Sequence, residues 1–252
     1  MNPLRFLWRL LRLLLHTLQG IWISLTIRRL PTADGERLPD PEPIRRWFGK
    51  SLEILGIELI CHGRAPQGPA LVVANHYAWL DIPVIGACTD AAFLSKSAIR
   101  HWPLIGWFAK ASSTLFIRRG KGEAKEVAAA IAGRLRAGRQ VALFPEGRVG
   151  DGHQIHRFFP RLFAAAIDTG APVVPVALRY CLDGHPDETV HYTPERNFLG
   201  ILLRILGRKG SRVEVFILPP LSPQGKDRRA LAEGARAAIQ EALARGPACK
   251  MV

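Results

Sequence analysis

Short apolar runs alternate with helical runs along most of this chain, and that alternation limits its possible folds more than any other feature. From about Leu52 onward, seven runs rich in Val, Ile, Leu and Phe have the length and composition of strands covered on both faces. These candidate strands are Ile57–Cys61, Ala70–Ala74, Ala91–Leu94, Thr114–Ile117, Val141–Phe144, Val173–Leu178 and Val213–Leu218. The clearest helical runs are Glu123–Ala137, Phe159–Thr169 and Ala230–Arg245. The pattern predicts an α/β fold with a central, mostly parallel sheet and flanking helices.

The composition restricts the classes of binding partner to expect, but it does not identify the function. The chain has 252 residues and a formal net charge of +14, which favours an anionic membrane surface, a phosphorylated substrate or nucleic acid. No nucleic-acid-binding module accompanies the charge, so nucleic acid is not an expected partner. Four scattered cysteines (Cys61, Cys88, Cys181 and Cys249) have no zinc-binding spacing, so we expect reduced thiols and no metal.

The N-terminal segment is amphipathic. Five polar side chains recur at steps of three or four residues and so share one face of a helix: Arg5, Arg9, Arg12, His16 and Gln19. Leucines and Trp22 line the opposite face, which predicts a helix in the headgroup region with arginines on lipid phosphates. The longest stretch without a charged side chain, Leu13 to Ile27, is shorter than the ~20 residues needed to cross a bilayer. A core-packing helix and a spanning helix remain the alternatives.

A boundary follows this segment. The stretch from Pro31 to Pro43 is rich in proline and charge and is typical of a linker or a tight loop. We therefore predict a membrane-interfacial helix over residues 1–30, a linker over residues 31–50 and one catalytic domain over residues 51–252.

The loop after the second candidate strand carries a potential acid–base pair. His76 and Asp81 lie just beyond the strand, in the run NHYAWLD. A neutral imidazole can take a proton from a hydroxyl when a carboxylate fixes its tautomer and stabilises the imidazolium. His76 as base and Asp81 as its partner would let a substrate hydroxyl attack directly. The spacing alone is a weak motif, and strand-end and helix-capping roles are the structural alternative.

Two later loops add charged groups beyond strand ends. FIRRG contains Arg118 and Arg119, and a guanidinium is a good bidentate partner for phosphate. FPEGR places Glu146 in a turn shaped by proline and glycine, with Arg148 beside it. A carboxylate there would suit polyol hydroxyls, and the arginine would suit an anion. Taken singly, each loop is as consistent with a solvated strand end or a surface turn.

Together and in this order, the loops resemble the glycerolipid acyltransferase family, which includes 1-acylglycerol-3-phosphate and lyso-ornithine lipid acyltransferases. The matching blocks are NHYAWLD, LSKSAIRHWPLIGWF, Phe116 to Arg119, FPEG and the apolar run VVPVAL. The resemblance as a whole covers roughly Ile57 to Tyr180. Several weak motifs in the correct order are jointly specific.

The resemblance implies a role for each matching residue. His76 is the general base and Asp81 its partner; Lys96 and Arg119 hold the acceptor's phosphate. Glu146 and Gly147 belong to the acceptor-binding loop, and Pro175 shapes the acyl region. Arg148, beside that loop, is expected to reach the same anion. The family usually has threonine after FPEG, where this chain has Arg148, which places the acceptor's identity in question.

The implied reaction transfers a fatty acyl chain from acyl-CoA or acyl-carrier protein to a lysophospholipid, without a cofactor. We expect membrane lipids as partners, at the cytoplasmic face of a bacterial inner membrane. The charge of a phosphate monoester favours 1-acylglycerol-3-phosphate as acceptor, with lyso-ornithine lipid as the alternative. A non-enzymatic protein that binds anionic lipids is the alternative of another class, although binding alone needs no base.

Overall fold

The predicted alternation is confirmed by the computed structural model, which describes residues 2–117, 123–150, 154–191, 198–245 and 249. The helices are α1 (Pro3–Thr26), α2 (Pro41–Leu55), α3 (Asp81–Cys88), α4 (Ile105–Ala111), α5 (Glu123–Arg136), α6 (Ala164–Thr169), α7 (Phe198–Gly207) and α8 (Arg228–Arg245). The strands are β1 (Arg29–Pro31), β2 (Arg37–Pro39), β3 (Ile57–His62), β4 (Leu71–Ala74), β5 (Ala92–Lys96), β6 (Leu115–Ile117), β7 (Val141–Leu143), β8 (Val173–Leu182), β9 (His185–Pro186) and β10 (Ser211–Ile217). Short 3₁₀ helices span Ser97–His101, Pro160–Phe163 and Glu188–Val190.

The large sheet has the strand order β3-β10-β8-β4-β7-β5-β6, with β9 paired to β8. The five strands from β8 to β6 are mutually parallel. At the other end, β10 pairs antiparallel with β8 and parallel with β3. The parallel portion brings the carboxyl ends of β4, β7, β5 and β6 to one edge, where loops can converge on a common site.

Alternate residues of the strands feed two cores, one on each face of the sheet. In β4, Val72 and Ala74 pack with helices α2, α3 and α7. Leu71 and Val73 point the other way and pack with α5, α6 and α8. Both faces are therefore covered, which explains why the strands are apolar along their whole length.

Residues 31–50, predicted to be a linker, form ordered structure instead. β1 and β2 pair as an antiparallel hairpin, and α2 begins at Pro41. The Asp40 side chain accepts a hydrogen bond from the backbone N–H of Glu42 at 3.1 Å. Asp followed by Pro is a helix-start signal as well as a turn signal, and here it starts a helix.

Helix α1 forms as predicted, but its polar face is turned towards the protein. One Nη of Arg9 donates to the carbonyls of Ile205 and Arg208, both at 3.0 Å, and so satisfies the end of α7. His16 is only 5% exposed, with its Nε2 3.0 Å from both the Trp47 carbonyl and Ser51 Oγ. These contacts correct the expectation that the whole arginine face meets lipid phosphates.

The opposite face of α1 is an exposed apolar surface. Its side chains are between 50% and 78% exposed: Leu4, Leu7, Trp8, Leu11, Leu14, Leu15, Leu18, Trp22 and Leu25. None of the described helices is long and apolar enough to cross a membrane. We refer to these nine side chains as the outer face of α1.

The four cysteines are paired, in contrast to the expected reduced thiols. Cys61 of β3 bonds to Cys88 at the end of α3, and Cys181 of β8 bonds to Cys249. Both pairs join residues far apart in sequence, so their proximity follows from the fold and not from cysteine spacing.

Alanine substitution of two helical glycines should change stability in opposite directions, because only Gly20 of α1 packs closely against another helix. A Cβ at Gly20 would lie 2.8 Å from Trp47 Nε1, whereas a Cβ at Gly133 in α5 would meet nothing within 4 Å. Gly133→Ala should raise the free energy of unfolding by about 0.5–1 kcal/mol through helix propensity. Gly20→Ala should lower it by about 1–3 kcal/mol because Trp47 must shift. Urea denaturation of both variants measures this; stabilisation by Gly20→Ala would contradict the docking described.

Candidate active site

The histidine and aspartate singled out from the sequence are in direct contact. His76 lies just beyond β4 and Asp81 is the first residue of α3. His76 Nδ1 is 2.7 Å from Asp81 Oδ2. Since the carboxylate accepts, Nδ1 carries the hydrogen and Nε2 keeps its lone pair. The arrangement is that of a neutral imidazole ready to accept a proton.

Asp81 is completely buried and makes four hydrogen bonds. Besides His76, its Oδ2 accepts from the backbone N–H groups of Tyr77 at 2.6 Å and Ala78 at 2.9 Å. Its Oδ1 accepts from the Tyr180 hydroxyl at 2.7 Å. These donors offset the loss of solvation of a buried carboxylate. The short loop and the tyrosine therefore fix the Asp81 carboxylate beside the imidazole.

Tyr180 was not identified from the sequence. It is buried in β8, and burial, followed by the charge of Asp81, raises its pKa well above the ordinary range. The hydroxyl therefore stays protonated near neutral pH and can donate. It precedes Cys181 in an apolar strand, and no spacing links it to Asp81. Only the pairing of β8 beside β4 brings the two together.

Two further contacts hold the His76 loop. The Asn75 side chain donates to the Leu178 carbonyl at 3.1 Å and accepts from the Leu178 N–H at 2.9 Å. The His76 ring stacks on Phe144 with ring centroids 4.0 Å apart. Phe144 belongs to the FPEG block, so the block supports the base directly through its aromatic residue.

Glu146 connects two loops of the site through hydrogen bonds. It is 4% exposed, and its two carboxylate oxygens accept from the backbone N–H of His76 at 3.2 Å and of His156 at 2.9 Å. Burial raises the pKa of Glu146, while these two bonds act in the opposite direction. Both oxygens are engaged with backbone, so the structure gives Glu146 a loop-bracing position; its predicted contact with substrate stays a prediction.

Gly147 and Arg148 complete the FPEG turn. Gly147 has φ of +68°, and a Cβ there would lie 2.8 Å from the Phe159 ring, so both conformation and space favour glycine. Arg148 is exposed, with an Nη 3.0 Å from His156 Nδ1. Its predicted anion contact stays a prediction.

The remaining predicted residues are spread more widely. Lys96 is exposed at the carboxyl end of β5, on the sheet edge that also carries His76 and Glu146. Arg119 lies outside the described residues. Pro175 is buried within β8, paired with Val73, and its carbonyl accepts from the Leu218 N–H at 3.0 Å. Pro175 is therefore a sheet residue, and its role in an acyl region stays a prediction.

Comparison with known proteins identifies the family. Residues 56–179 match the family model described as Acyltransferase. The chain is 40% identical over 248 residues to the lyso-ornithine lipid O-acyltransferase of Pseudomonas aeruginosa, covering 96% of this chain and 95% of that protein. The chain belongs to the acyltransferase family.

Two other similarities agree with this assignment. The acyltransferase is 32% identical over 253 residues to the 1-acyl-sn-glycerol-3-phosphate acyltransferase of Neisseria gonorrhoeae, with 96% of each chain covered. The crystal structure of the 1-acyl-sn-glycerophosphate acyltransferase of Thermotoga maritima superposes with a TM-score of 0.60 at 22% identity, covering 94% of this chain and 99% of that one. The predicted enzyme class and fold are confirmed, and the acyltransferase is of the lysophospholipid type.

The first prediction for the site concerns the base. We expect His76→Ala to fold and to lose at least ~10²-fold in kcat, the usual scale for removal of a general base. Asp81→Asn should be severely impaired as well, because an amide no longer fixes the tautomer. Initial rates of acyl transfer and thermal melting together measure this. Near-normal turnover by folded His76→Ala would contradict the role of the base.

The second concerns Tyr180. Tyr180→Phe removes one donor to a buried carboxylate, and we expect a loss of about tenfold in kcat, which corresponds to ~1.4 kcal/mol, with little change in KM. With one donor fewer, Asp81 should hold the imidazolium more tightly and move the acidic limb of the pH–rate profile to higher pH. Initial rates across pH and thermal melting of wild type and Tyr180→Phe measure both effects. A lower melting temperature with an unchanged pH profile would mean that Tyr180 is structural only.

Proposed function

We propose that this acyltransferase esterifies the free hydroxyl of a membrane lysophospholipid, with 1-acylglycerol-3-phosphate as acceptor and a soluble acyl thioester as donor. The observation that carries the proposal is the contact between His76 Nδ1 and the buried carboxylate of Asp81. In the described part of the chain, no serine or cysteine side chain is hydrogen-bonded to His76. A base without a protein nucleophile beside it suits direct attack by the acceptor.

In the proposed reaction, His76 Nε2 takes the proton of the acceptor hydroxyl as its oxygen attacks the thioester carbonyl. Collapse of the tetrahedral intermediate breaks the C–S bond, and the thiol leaves with the proton from His76. The new ester bond completes the transfer. Asp81 stays ionised throughout and stabilises the transient imidazolium, with its own charge held by the Tyr77 and Ala78 N–H groups and the Tyr180 hydroxyl.

The position of Lys96 supports a phosphate-bearing acceptor. It is exposed at the same sheet edge as His76 and has no ion pair among the described residues. An ammonium group at that edge suits a phosphate monoester, which carries a charge of about −1.5 to −2 near neutral pH.

Lyso-ornithine lipid is the second candidate acceptor. It is favoured by the higher identity to two proteins named as lyso-ornithine lipid O-acyltransferases, 40% for that of Pseudomonas aeruginosa and 36% for that of Rhodobacter capsulatus. The exposed Arg148, which stands where the family usually has threonine, also leaves room for a different headgroup.

The outer face of α1 supports membrane association of the enzyme. Its nine exposed leucine and tryptophan side chains lie along a 24-residue helix, about 36 Å long. A surface of this size is unfavourable in water and suits the interfacial layer of a bilayer, where the acceptor resides. We place the enzyme at the cytoplasmic membrane face, where soluble acyl thioesters are available.

The acceptor is decided by a parallel assay. We expect wild type to acylate 1-acylglycerol-3-phosphate better than lyso-ornithine lipid, with acyl-CoA and acyl-carrier protein tested in turn. Arg119→Ala and Lys96→Ala should each lower kcat/KM for the phosphate acceptor by about tenfold or more, since each removes a charge-assisted contact.

Lys226→Ala is the matched control, because Lys226 is an exposed cation beside α8, which packs on the other face of the sheet from α1. Efficient acylation of lyso-ornithine lipid, with no reaction of 1-acylglycerol-3-phosphate, would contradict the proposed acceptor. The roles of His76 and Asp81 would be unaffected by that result.

A further inference from the structure

An open cleft lies beside the C-terminal end of α1. It has a volume of about 530 Å³, and its lining includes Ser24, Arg29, Arg100, Trp102, Leu104, Trp107 and Lys110. Most of these residues come from the 3₁₀ helix Ser97–His101, from α4 and from the turn between them, a segment that follows β5 directly. We call it the Trp102–Lys110 cleft.

Three cations line the cleft: Arg29, Arg100 and Lys110. All three are exposed, and none forms an ion pair with a carboxylate in the described ranges. Cations that converge without an acidic partner repel one another, and an anion between them relieves that repulsion. The cleft is therefore matched in charge to an anionic ligand.

Large apolar side chains stand at the same rim. Trp102, Leu104 and Trp107 are each about half exposed, at 47%, 51% and 50%. Leu104 has a φ of +59°, a conformation that non-glycine residues rarely adopt. An exposed leucine held in this way at the rim of a cationic cleft indicates contact with an apolar phase.

The cleft is joined firmly to α1. Trp107 Nε1 donates to Ser24 Oγ at 2.7 Å, so α4 is linked to the last turns of the helix. A Cβ at Gly106 would lie 2.4 Å from the Arg100 carbonyl oxygen, so this glycine permits the close approach that shapes the cleft. The rim therefore lies beside the last turns of α1, which also carry Trp22 and Leu25 of the outer face.

The orientation of α1 leaves its own cations poorly placed for lipid. Arg9 and His16 are bonded to the protein, and Arg5 and Arg12 are half-buried. We infer that the Trp102–Lys110 cleft is a second membrane anchor that binds the phosphate of an anionic phospholipid in the bilayer surface, with Trp102, Leu104 and Trp107 inserted beside it.

This inference rests on the membrane association proposed above and assigns a different type of membrane contact to each of the two surfaces. The outer face of α1 contributes apolar insertion, which is insensitive to headgroup charge. The cleft contributes electrostatic attraction, which depends on anionic lipid and weakens with salt. Aromatic side chains with one polar atom are suited to the depth at which headgroups meet acyl chains.

The test measures binding of the full chain to vesicles by co-sedimentation. One vesicle type is phosphatidylcholine alone, and the other contains phosphatidylglycerol in addition. We expect Arg100→Gln/Lys110→Gln to weaken binding to the anionic vesicles about 30-fold, from roughly fivefold for each basic residue near the surface. Binding to the neutral vesicles should be unchanged.

The control Lys226→Gln/Arg228→Gln removes the same charge at the start of α8, on the other face of the sheet. It should bind both vesicle types like wild type. An equal loss in the control, or an equal loss on both vesicle types, would overturn the cleft as an anionic-lipid site. Displacement from anionic vesicles by inorganic phosphate beyond that caused by chloride at the same ionic strength would overturn it too, by showing a pocket for free phosphate.

A third variant separates this inference from the proposed function. Leu11→Ser/Leu18→Ser should weaken binding to neutral and anionic vesicles alike, because it removes apolar insertion only. Wild-type binding by this variant would refute the association of α1 while leaving the result for the cleft interpretable. Acyl transfer to detergent-dispersed acceptor by wild type and His76→Ala tests the chemistry independently of both.

Discussion

The buried carboxylate of Asp81 is the interaction on which the rest of the site depends. An ionised carboxylate in a dry interior is very unfavourable unless hydrogen bonds replace its lost solvation. Here the loop from Tyr77 to Ala78 supplies two backbone donors, β8 supplies the Tyr180 hydroxyl, and His76 supplies Nδ1–H. The loop conformation, the start of α3 and the placement of β8 beside β4 must all be correct together. The site is consequently assembled only when the central sheet is complete.

The FPEG block has a similar supporting function from the neighbouring strand. Phe144 lies against the imidazole, and Glu146 ties the backbone at His76 to that at His156. The two loops of the family signature therefore hold each other through buried polar contacts. Their mutual support explains why Glu146, 70 residues beyond His76, belongs to the same structural unit as the His76–Asp81 pair.

Helix α1 shows how an amphipathic pattern can be assigned to the wrong environments. The period of its polar residues correctly predicts a helix with two faces. The pattern does not say which face meets protein, because arginine and histidine can hydrogen-bond to helix ends and buried carbonyls as well as to lipid phosphates. Arg9 on the end of α7 and His16 on α2 turn that face inward. The leucines are left outside. Arg29, Arg100 and Lys110, which form no ion pair among the described residues, line the cleft beside the end of α1.

By itself the sequence determined the α/β class, the seven main strands and the His76–Asp81 pair, because apolar periodicity and local motifs are properties of neighbouring residues. It misassigned residues 31–50, where Asp40 and Pro41 start a helix, and the cysteines, whose pairing depends on distant segments. Three contacts join segments separated by many residues. They are the hydrogen bond from Tyr180 to Asp81, the hydrogen bond from the His76 N–H to Glu146, and the packing of the polar face of α1 on the protein. Only the folded structure brings these segments into contact. The packing of the whole sheet sets which strands become neighbours and therefore which polar groups meet in a dry interior.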